Sequence, residues 1–428
     1  MTGSEGVRAR ARIDTMQDSL IRQIADAGHG RNDLIALWFG ESDEPTPEYI
    51  RRAAARAMDD GHTLYPPNRG IAELAPVLSD YMTGLHGLAI GENRITVTAS
   101  AMNGIMLIMQ MLIDPGDNIV MATPLWPNCA ETVHIMGGET RRVRLDLENG
   151  RWRLDLDRLI DCCDRRTKAI FVNSPGNPTG WVMDADTQRN LLEAARARGL
   201  MIIADEVYER ICFTGDRAPS FLDIVTPEDP VIVVNSFSKS WSMTGWRLGW
   251  LTHPPALGDR LGMLTEFNIA GPTTFVQHAG VAAISGGDAY IASLVARYAA
   301  NRDLVCARMA DWQSVQLARP DGAFYAFFSV NGANDSVALA HEILDRTGVG
   351  VAPGAAFGPE GEGWLRLCFG VRPDTLARAL DRLEVMLGNN SRKDPKSGQQ
   401  KTEVRRRRSA AALRENLRRR KAAKDRAQ

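Results

Sequence analysis

The chain has 428 residues, of which 44% are hydrophobic and 24% are charged, and this composition excludes a fibrous, mucin-like or mainly disordered protein. Its 51 basic and 52 acidic residues give a formal net charge of −1, but the charge is unevenly distributed. Residues 391–428 hold 15 basic and 4 acidic residues, which leaves 36 basic and 48 acidic residues for 1–390. The sequence therefore describes an acidic globular part followed by a basic tail.

The amino-terminal segment and the cysteines indicate a cytoplasmic protein without a membrane partner. The polar start MTGSEGVRARARID lacks the apolar stretch of a secretory signal, and no run of about 18 apolar residues occurs. The six cysteines form no CxxC motif, and Cys129, Cys212 and Cys368 lie in or beside apolar runs. We interpret these three as core residues in a reducing compartment.

The predicted elements of the first two thirds of the chain alternate between strands and helices. A strand at 95–100 (ITVTAS) leads into a helix (AMNGIMLIMQML), and a second strand follows in NIVMATPLWP. Three apolar runs come next, at 168–173, 200–205 and 231–237, with a helical stretch ended by Gly199 between the first two. Continuous apolar runs separated by helices are typical of a parallel sheet buried on both faces. We therefore predict an α/β fold with a mostly parallel central sheet flanked by helices.

The carboxy-terminal third predicts a smaller α+β domain. Strands are expected at 322–330 (GAFYAFFSV) and 364–369 (WLRLCF), followed by the amphipathic helix DTLARALDRLEVMLG. The expected organisation is an amino-terminal arm with part of the small domain (1–48), a large ligand-binding domain (49–290), a carboxy-terminal small domain (291–389) and a basic tail (390–428).

Each of the three central runs ends in a polar motif. The motifs are NSPGNPTG (173–180), ADEVYER (204–210) and SFSKSWSMTGWRLGW (236–250). Ligands of open parallel sheets bind at the carboxyl ends of the strands, so we expect an amide, a carboxylate and an amine to converge there.

Lys239 is the most informative residue of these motifs. It directly follows a buried run, and the next acidic residue along the chain is Asp259, so we expect it to be partly desolvated and reactive toward carbonyl groups. Arg247 adds a cation to the same hydroxyl-rich loop, which suits a phosphate.

The three motifs, in this order and spacing, resemble those of the fold-type I pyridoxal-phosphate aminotransferases, the class I/II group related to aspartate aminotransferase. The resemblance extends from about Leu37 to about Leu387 and leaves out the tail. It implies a large domain with a mostly parallel sheet, a smaller α+β domain, and pyridoxal 5′-phosphate as the cofactor. It also implies a homodimer with shared active sites that transfers amino groups between amino acids and 2-oxo acids by a ping-pong cycle.

The resemblance assigns a role to each matching cofactor-site residue. Lys239 is implied to hold the cofactor covalently and to move the substrate proton, and Asp205 to pair with the pyridinium nitrogen. Tyr208 and Asn177 are implied to bind the phenolic oxygen. The phosphate is assigned to Ser236, Arg247, the backbone amides of Ser100, Ala101 and Met102, and Tyr65 from the neighbouring subunit. Trp126 is implied to stack on the cofactor ring, although a tryptophan of the core or surface is the alternative.

Three residues are implied to contact the substrate. Arg366 aligns with the arginine that binds the α-carboxylate; an arginine in an apolar strand needs a partner, and an internal salt bridge is the alternative. Asn177 and Gly40 are implied to lie against the same part of the substrate.

Departures from the family pattern bear on specificity. The family usually has glycines where this chain has Ser100 and Ala101. Met102 stands where many bacterial aspartate-type members carry a lysine for the distal carboxylate, which favours neutral, apolar or aromatic amino acids over aspartate. Trp38, Phe39 and Met102 are either an apolar side-chain pocket or core residues.

Two other functions stay open on the sequence. A pyridoxal-phosphate-dependent C–S lyase or β-eliminating enzyme uses the same carbanion chemistry. A nucleic-acid-binding regulator with an aminotransferase-like domain is suggested by the basic tail alone, and we expect nucleic acid as a partner only through that tail. For the tail we favour a solvated extension over a lone helix, since two leucines bury little apolar surface. The dispersed histidines predict no metal site, and no P-loop or complete dinucleotide fingerprint occurs.

Overall fold

A seven-stranded sheet is the central element of the computed structural model, which describes residues 9–388. The predicted tail lies outside the described residues. In chain order the strands are β1 (Ile35–Ala36), β2 (Ile95–Thr98), β3 (Asn118–Thr123), β4 (Glu139–Arg144), β5 (Asp146–Glu148), β6 (Arg151–Arg153), β7 (Thr167–Asn173), β8 (Met201–Asp205), β9 (Val231–Ser236), β10 (Gly249–Thr252), β11 (Val315–Leu317), β12 (Tyr325–Val330), β13 (Val349–Gly350), β14 (Ala352–Pro353) and β15 (Trp364–Cys368).

The central sheet has the order β2-β10-β9-β8-β7-β3-β4. Neighbouring strands from β9 to β4 are parallel, and only β10 is antiparallel to its neighbours. The prediction of a mostly parallel sheet is confirmed, and each of the three apolar runs forms a strand. The two faces of the sheet join different cores: Ile170 and Val172 pack in one, and Ala169 and Phe171 in the other. Burial on both faces explains why these strands are continuously apolar.

Helices cover the sheet and connect its strands. In chain order they are α1 (Ala11–Asp14), α2 (Leu20–Ala27), α3 (Glu48–Asp59), α4 (Leu74–His86), α5 (Ala101–Leu112), α6 (Pro127–Met136), α7 (Leu156–Asp161), α8 (Ala185–Arg198), α9 (Phe237–Ser240), α10 (Gly258–Ile269), α11 (Thr274–Gly286), α12 (Asp288–Ala310), α13 (Ser336–Thr347) and α14 (Pro373–Leu387).

The ends of α8 illustrate how local sequence sets the helix limits. The Asp184 side chain accepts a hydrogen bond from the Thr187 N–H, which satisfies a free donor of the first turn. Gly199 follows the last turn with a φ of 64°, a left-handed conformation that glycine adopts without steric cost. The prediction of a helix stopped at Gly199 is confirmed.

A four-stranded antiparallel sheet, ordered β11-β12-β15-β14, forms the carboxy-terminal third. The predicted strands in GAFYAFFSV and WLRLCF are its two central strands. The amino-terminal segment joins this region through β1, which pairs in parallel with β13. Two backbone hydrogen bonds, from Leu37 N–H to Gly350 O and from Cys368 N–H to Leu37 O, continue the connection.

Cys129, Cys212 and Cys368 are buried and free, as predicted for core residues. In residues 9–388, no single helix has both the length and the apolar character to cross a membrane. The pair α11 and α12 passes that test only together, across a bend of 77°.

Candidate active site

A cavity of about 350 Å³ opens at the carboxyl ends of β7, β8 and β9. The strand register brings the three ends level, because Asn173 pairs with Asp205 and Asp205 pairs with Val234. The cavity volume lies in the range of small-molecule sites, roughly 300–1,000 Å³. Eleven of the thirteen predicted site residues line it: Gly40, Ala101, Met102, Trp126, Asn177, Asp205, Tyr208, Ser236, Lys239, Arg247 and Arg366.

Lys239 lies in the short helix α9, directly after β9. Its Nζ donates a hydrogen bond to the Gly40 carbonyl oxygen at 2.8 Å and lies 5.7 Å from the centre of the Tyr208 ring. Burial lowers the pKa of Lys239 to about 8. The amine is therefore partly neutral near pH 8, the form that attacks carbonyl carbon and accepts protons.

Asp205 is the last residue of β8 and is 5% exposed. Its Oδ1 accepts a hydrogen bond from the Val207 N–H at 3.3 Å, and no basic side chain of residues 9–388 forms an ion pair with it. Burial raises the pKa of Asp205 to about 7, although the Val207 N–H and Lys239 act in the opposite direction. A buried carboxyl group without a cationic partner suits a ligand that carries a proton on nitrogen.

The hydroxyl groups of Tyr208 and Tyr325 lie 2.7 Å apart in the cavity wall. Burial raises the pKa of both phenols, so both stay protonated and one hydroxyl has a proton to donate to a ligand. Tyr325 also limits residue 40, because a Cβ on Gly40 would collide with its hydroxyl. The position of Gly40 in the family pattern thus has a steric reason in this chain.

Arg366 projects from β15 and is 2% exposed. One guanidinium nitrogen donates to Asn177 Oδ1 at 2.8 Å, another donates to the Trp38 carbonyl oxygen, and Nε has no hydrogen-bond partner. The guanidinium carbon lies 4.5 Å from the centre of the Tyr325 ring. No carboxylate of residues 9–388 pairs with Arg366, so the alternative of an internal salt bridge is wrong for this part of the chain. A buried arginine with this arrangement suits a ligand carboxylate.

Groups suited to an anion gather at one end of the cavity. The N–H groups of Ala101 and Met102 lie in the first turn of α5, where backbone donors have no partner within the helix. The Ser236 hydroxyl and the Arg247 guanidinium line the cavity as well, and Arg247 donates to the Thr244 carbonyl oxygen at 2.7 Å. Partial burial lowers the pKa of Arg247, which still leaves it a cation at neutral pH.

Ser100 does not line the cavity and instead begins α5. Its hydroxyl accepts a hydrogen bond from the Asn103 N–H at 3.1 Å. Its φ of 103° falls in a region that side chains rarely adopt, with a cost on the order of 1–3 kcal/mol. The family's preference for glycine at this position therefore has a conformational reason, and this chain tolerates a serine there.

The three residues of the expected apolar pocket have different surroundings. Phe39 and Met102 line the cavity. Trp38 is buried and packs so closely on Gly28 and Gly350 that a Cβ on either glycine would overlap its ring. Trp38 is thus a core residue, whereas Phe39 and Met102 are free to contact a ligand.

Tyr65 is not at this cavity and is 89% exposed. It lies next to Leu64, which is 81% exposed, in the loop before α4. Within one chain the predicted Tyr65 contact is therefore not made.

Several residues that line the cavity are not among the predicted site residues, for example Tyr325, Asn173 and Arg22. Asn173 ends β7, and its side chain donates to the Asp205 carbonyl oxygen at 2.9 Å and accepts from the Asn177 N–H at 2.8 Å. Its position at the end of an apolar run was a usable signal. Arg22, on α2, had none. In residues 9–388 no group of three or more histidine, cysteine or acidic side chains is placed to hold a metal ion.

Comparison with known proteins gives consistent results. Residues 32–383 match the family model described as aminotransferase class I and II. The chain is 32% identical over 376 residues to the probable aspartate aminotransferase of Methanocaldococcus jannaschii, covering 86% of this chain and 97% of that one. It is 30% identical to aromatic-amino-acid aminotransferase 2 of Thermococcus litoralis over 380 residues, 88% of this chain and 97% of the relative.

Solved structures agree with these relatives. The aspartate aminotransferase of Thermotoga maritima superposes with a TM-score of 0.83 at 29% identity, covering 89% of this chain and all of that one. The match to the family model, the similarity along nearly the whole length of the relatives and the fold point to one assignment: the chain belongs to the class I and II aminotransferases and is a pyridoxal-phosphate-dependent aminotransferase.

Proposed function

We propose that the chain transfers the amino group of a neutral or aromatic L-amino acid to a 2-oxo acid such as 2-oxoglutarate, in the two half-reactions of a ping-pong cycle. Aspartate is the alternative donor, because relatives are named for aspartate as well as for aromatic amino acids. The apolar contribution of Phe39 and Met102 to the cavity supports an apolar donor. The observation that carries the proposal is that Lys239, Asp205 and Arg366, three buried or partly buried charged groups without an ion-pair partner in residues 9–388, share one cavity.

The residues of the cavity fit pyridoxal phosphate. The unpaired Asp205 carboxyl group matches the ring nitrogen of the cofactor, and the Tyr208 hydroxyl and the Asn177 side chain would bind its phenolic oxygen. The N–H groups at the start of α5 match the phosphate, together with Ser236 and Arg247. Trp126 would cover the ring. All of these groups line the cavity.

When bound, pyridoxal phosphate supplies a ring that takes up the electron pair released as the substrate Cα–H bond breaks. Asp205 would hold the proton on the ring nitrogen. Burial raises the pKa of the free Asp205 carboxyl group, and pairing with the protonated nitrogen would lower that pKa again. Lys239 would hold the cofactor covalently and, once released, move the proton from the substrate Cα. Its lowered pKa leaves a free electron pair on Nζ in part of the molecules.

Arg366 would bind the α-carboxylate of the substrate. Its free Nε and its two other nitrogens form a planar set of donors that are fixed by Asn177 and Trp38. Because these contacts already hold the guanidinium in place, the substrate pays little to order it. The carboxylate position in turn sets which Cα bond faces Lys239.

The proposed assembly is a homodimer in which Tyr65 reaches the phosphate of the neighbouring subunit. Exposed apolar side chains that a partner subunit would cover support this assembly. They are Leu64, Tyr65 and Phe267, and Phe267, on α10, is 83% exposed. Phe267→Glu is expected to shift sedimentation from dimer to monomer. A wild-type protein that sediments as a monomer at micromolar concentration would contradict the assembly.

We also propose the domain limits 1–48 with 291–389 for the small domain and 49–290 for the large domain. The central sheet lies wholly within the second range and the antiparallel sheet within the first set. The pairing of β1 with β13 supports assignment of the amino-terminal segment to the small domain.

The test of the activity is a donor screen with purified, cofactor-loaded protein and 2-oxoglutarate as the acceptor. We expect an absorption band in the visible range that shifts with apolar or aromatic donors, and glutamate formation that requires the acceptor. Product formation without an acceptor would instead indicate the β-eliminating alternative. A marked preference for aspartate would overturn the proposed donor class.

A further inference from the structure

Arg22 is a third arginine of the cavity lining, beside Arg247 and Arg366, and the assigned roles leave it unused. It lies in the first turn of α2, and together with Ser19 and Ile21 it forms the part of the wall that this helix contributes. Its guanidinium carbon is 5.6 Å from the centre of the Phe39 ring. The amino-terminal helix thus brings a cation next to the apolar side chains that face a ligand.

Arg22 has no acidic partner within residues 9–388. Arg31, which follows α2, differs in this respect, because it forms ion pairs with Asp33 and Asp345. The Ser19 hydroxyl accepts a hydrogen bond from the backbone N–H of Arg22 and caps α2, whereas the contact of the guanidinium itself is with the Phe39 ring. A guanidinium that faces a ligand cavity with its donors free is suited to an anionic group of the ligand.

Besides Arg247, which is assigned to the phosphate, the cavity lining therefore holds two arginines from different elements, Arg366 from β15 and Arg22 from α2, together with Phe39 and Met102. A ligand with two carboxylates joined by a short hydrocarbon chain matches this set. At position 102, on α5, this chain has a methionine where many bacterial aspartate-type members have a lysine. Arg22 places a cation in the cavity from α2 instead.

We propose that Arg22 binds the distal carboxylate of the dicarboxylic partner, 2-oxoglutarate and the glutamate formed from it. The apolar donor of the other half-reaction uses Phe39 and Met102 instead. Contact with the Phe39 ring stabilises the guanidinium when no second carboxylate is present. One cavity thereby accepts both an acidic and an apolar side chain. This inference rests on the proposed transamination.

The experiment compares R22M and R22K with wild type in the cofactor-loaded enzyme. Equilibrium binding of the unreactive dicarboxylate glutarate is measured beside that of the monocarboxylate butyrate. R22M is expected to weaken glutarate binding at least about tenfold and to change butyrate binding less than about twofold. R22K keeps the positive charge and is expected to retain most of the preference for glutarate over butyrate. R189M, which removes an exposed arginine of α8 outside the cavity, is the control for net charge.

Half-reaction rates give the second measurement. R22M is expected to lower kcat/KM for glutamate and 2-oxoglutarate at least about tenfold while leaving that for phenylalanine unchanged. Equal losses for glutarate and butyrate, unaltered glutarate binding, or identical behaviour of R22K and R22M would each overturn the role of Arg22. If the protein transaminates no donor, the proposed function fails, whereas the glutarate measurement still decides whether Arg22 binds a carboxylate.

Discussion

The Nζ atom of Lys239 donates a hydrogen bond to the carbonyl oxygen of Gly40 at 2.8 Å. Lys239, in the helix that follows β9, is thereby bound to Gly40, which follows β1 and is distant in the chain. The contact places a partly neutral amine at the centre of the cavity and joins the central sheet to the amino-terminal segment.

Lys239→Ala is expected to lower transamination at least about 10³-fold, because the variant lacks the amine proposed as both nucleophile and proton carrier. The fold should remain, since only the Gly40 carbonyl loses a partner. Lys168→Ala, at an exposed amine 3.4 Å from Asp117, is the control and should retain activity. Rates of donor consumption decide; a Lys239→Ala protein as active as the control would refute the assignment.

Asp205 is expected to make the stability of the cofactor-free protein depend on pH. Its pKa in the folded state is raised from 3.8 to about 7, so its contribution to stability is fully present below pH 3.8 and is lost as the pH rises through 7. Relative to Asp205→Asn, wild type should lose on the order of 4 kcal/mol across this range. Denaturant unfolding between pH 4.5 and 8.5 measures the difference, and parallel curves for the two proteins would contradict it.

Gly40→Ala is expected to destabilise the protein by about 1–3 kcal/mol, because the added methyl group collides with the Tyr325 hydroxyl. Tyr325→Phe removes that oxygen, so the double variant should recover part of the loss. Gly84→Ala is the matched control: it lies within α4, its Cβ would meet no atom within 4 Å, and it should be neutral or stabilising. Strict additivity of the two changes in denaturant unfolding would exclude the collision.

Arg366→Met is expected to separate activity from stability. No carboxylate of residues 9–388 depends on Arg366, so the free energy of unfolding should change by less than about 2 kcal/mol. The kcat/KM should fall at least about 100-fold, because the variant lacks the cation proposed to bind the substrate α-carboxylate.

Arg142→Met provides the opposite case. Arg142 pairs with Glu360 through two nitrogens, at 3.0 and 2.9 Å, so its loss leaves a half-buried carboxylate without a partner. This variant should unfold more easily but retain the kcat/KM of the folded protein. The same result for both arginines, in either measurement, would argue against a ligand role for Arg366.

The central strands and the residues at their ends were predictable from the sequence. Strands such as β7 and β9 are buried on both faces, which requires a continuous apolar run, and the polar residues that follow each run lie at the edge of the sheet. Asp205 and Lys239 are visible in the sequence for this reason.

The walls of the cavity were not predictable in the same way. Arg22 belongs to an amphipathic helix, and the sequence indicates only that it lies on the polar face. Its neighbourhood with Phe39 depends on how α2 packs, which local pattern does not encode. Tyr325 lies in an apolar strand and has the sequence context of a core residue, and its hydroxyl contact with Tyr208 and its place in the cavity wall show that it faces the site. The family resemblance located most of the residues proposed to bind the cofactor and missed those particular to this chain.

The pairing of β1 with β13 has a mechanical consequence. Leu37 is bonded on one side to Gly350 and on the other to Cys368, and the Trp38 carbonyl accepts a hydrogen bond from Arg366. The loop that carries Gly40 is thus part of the same hydrogen-bonded ribbon as the strand that carries Arg366. If the antiparallel sheet turns toward the central sheet, Gly40 and Arg366 move together, so the two groups proposed to contact the substrate keep their spacing, whereas Lys239, on the central sheet, does not move with them.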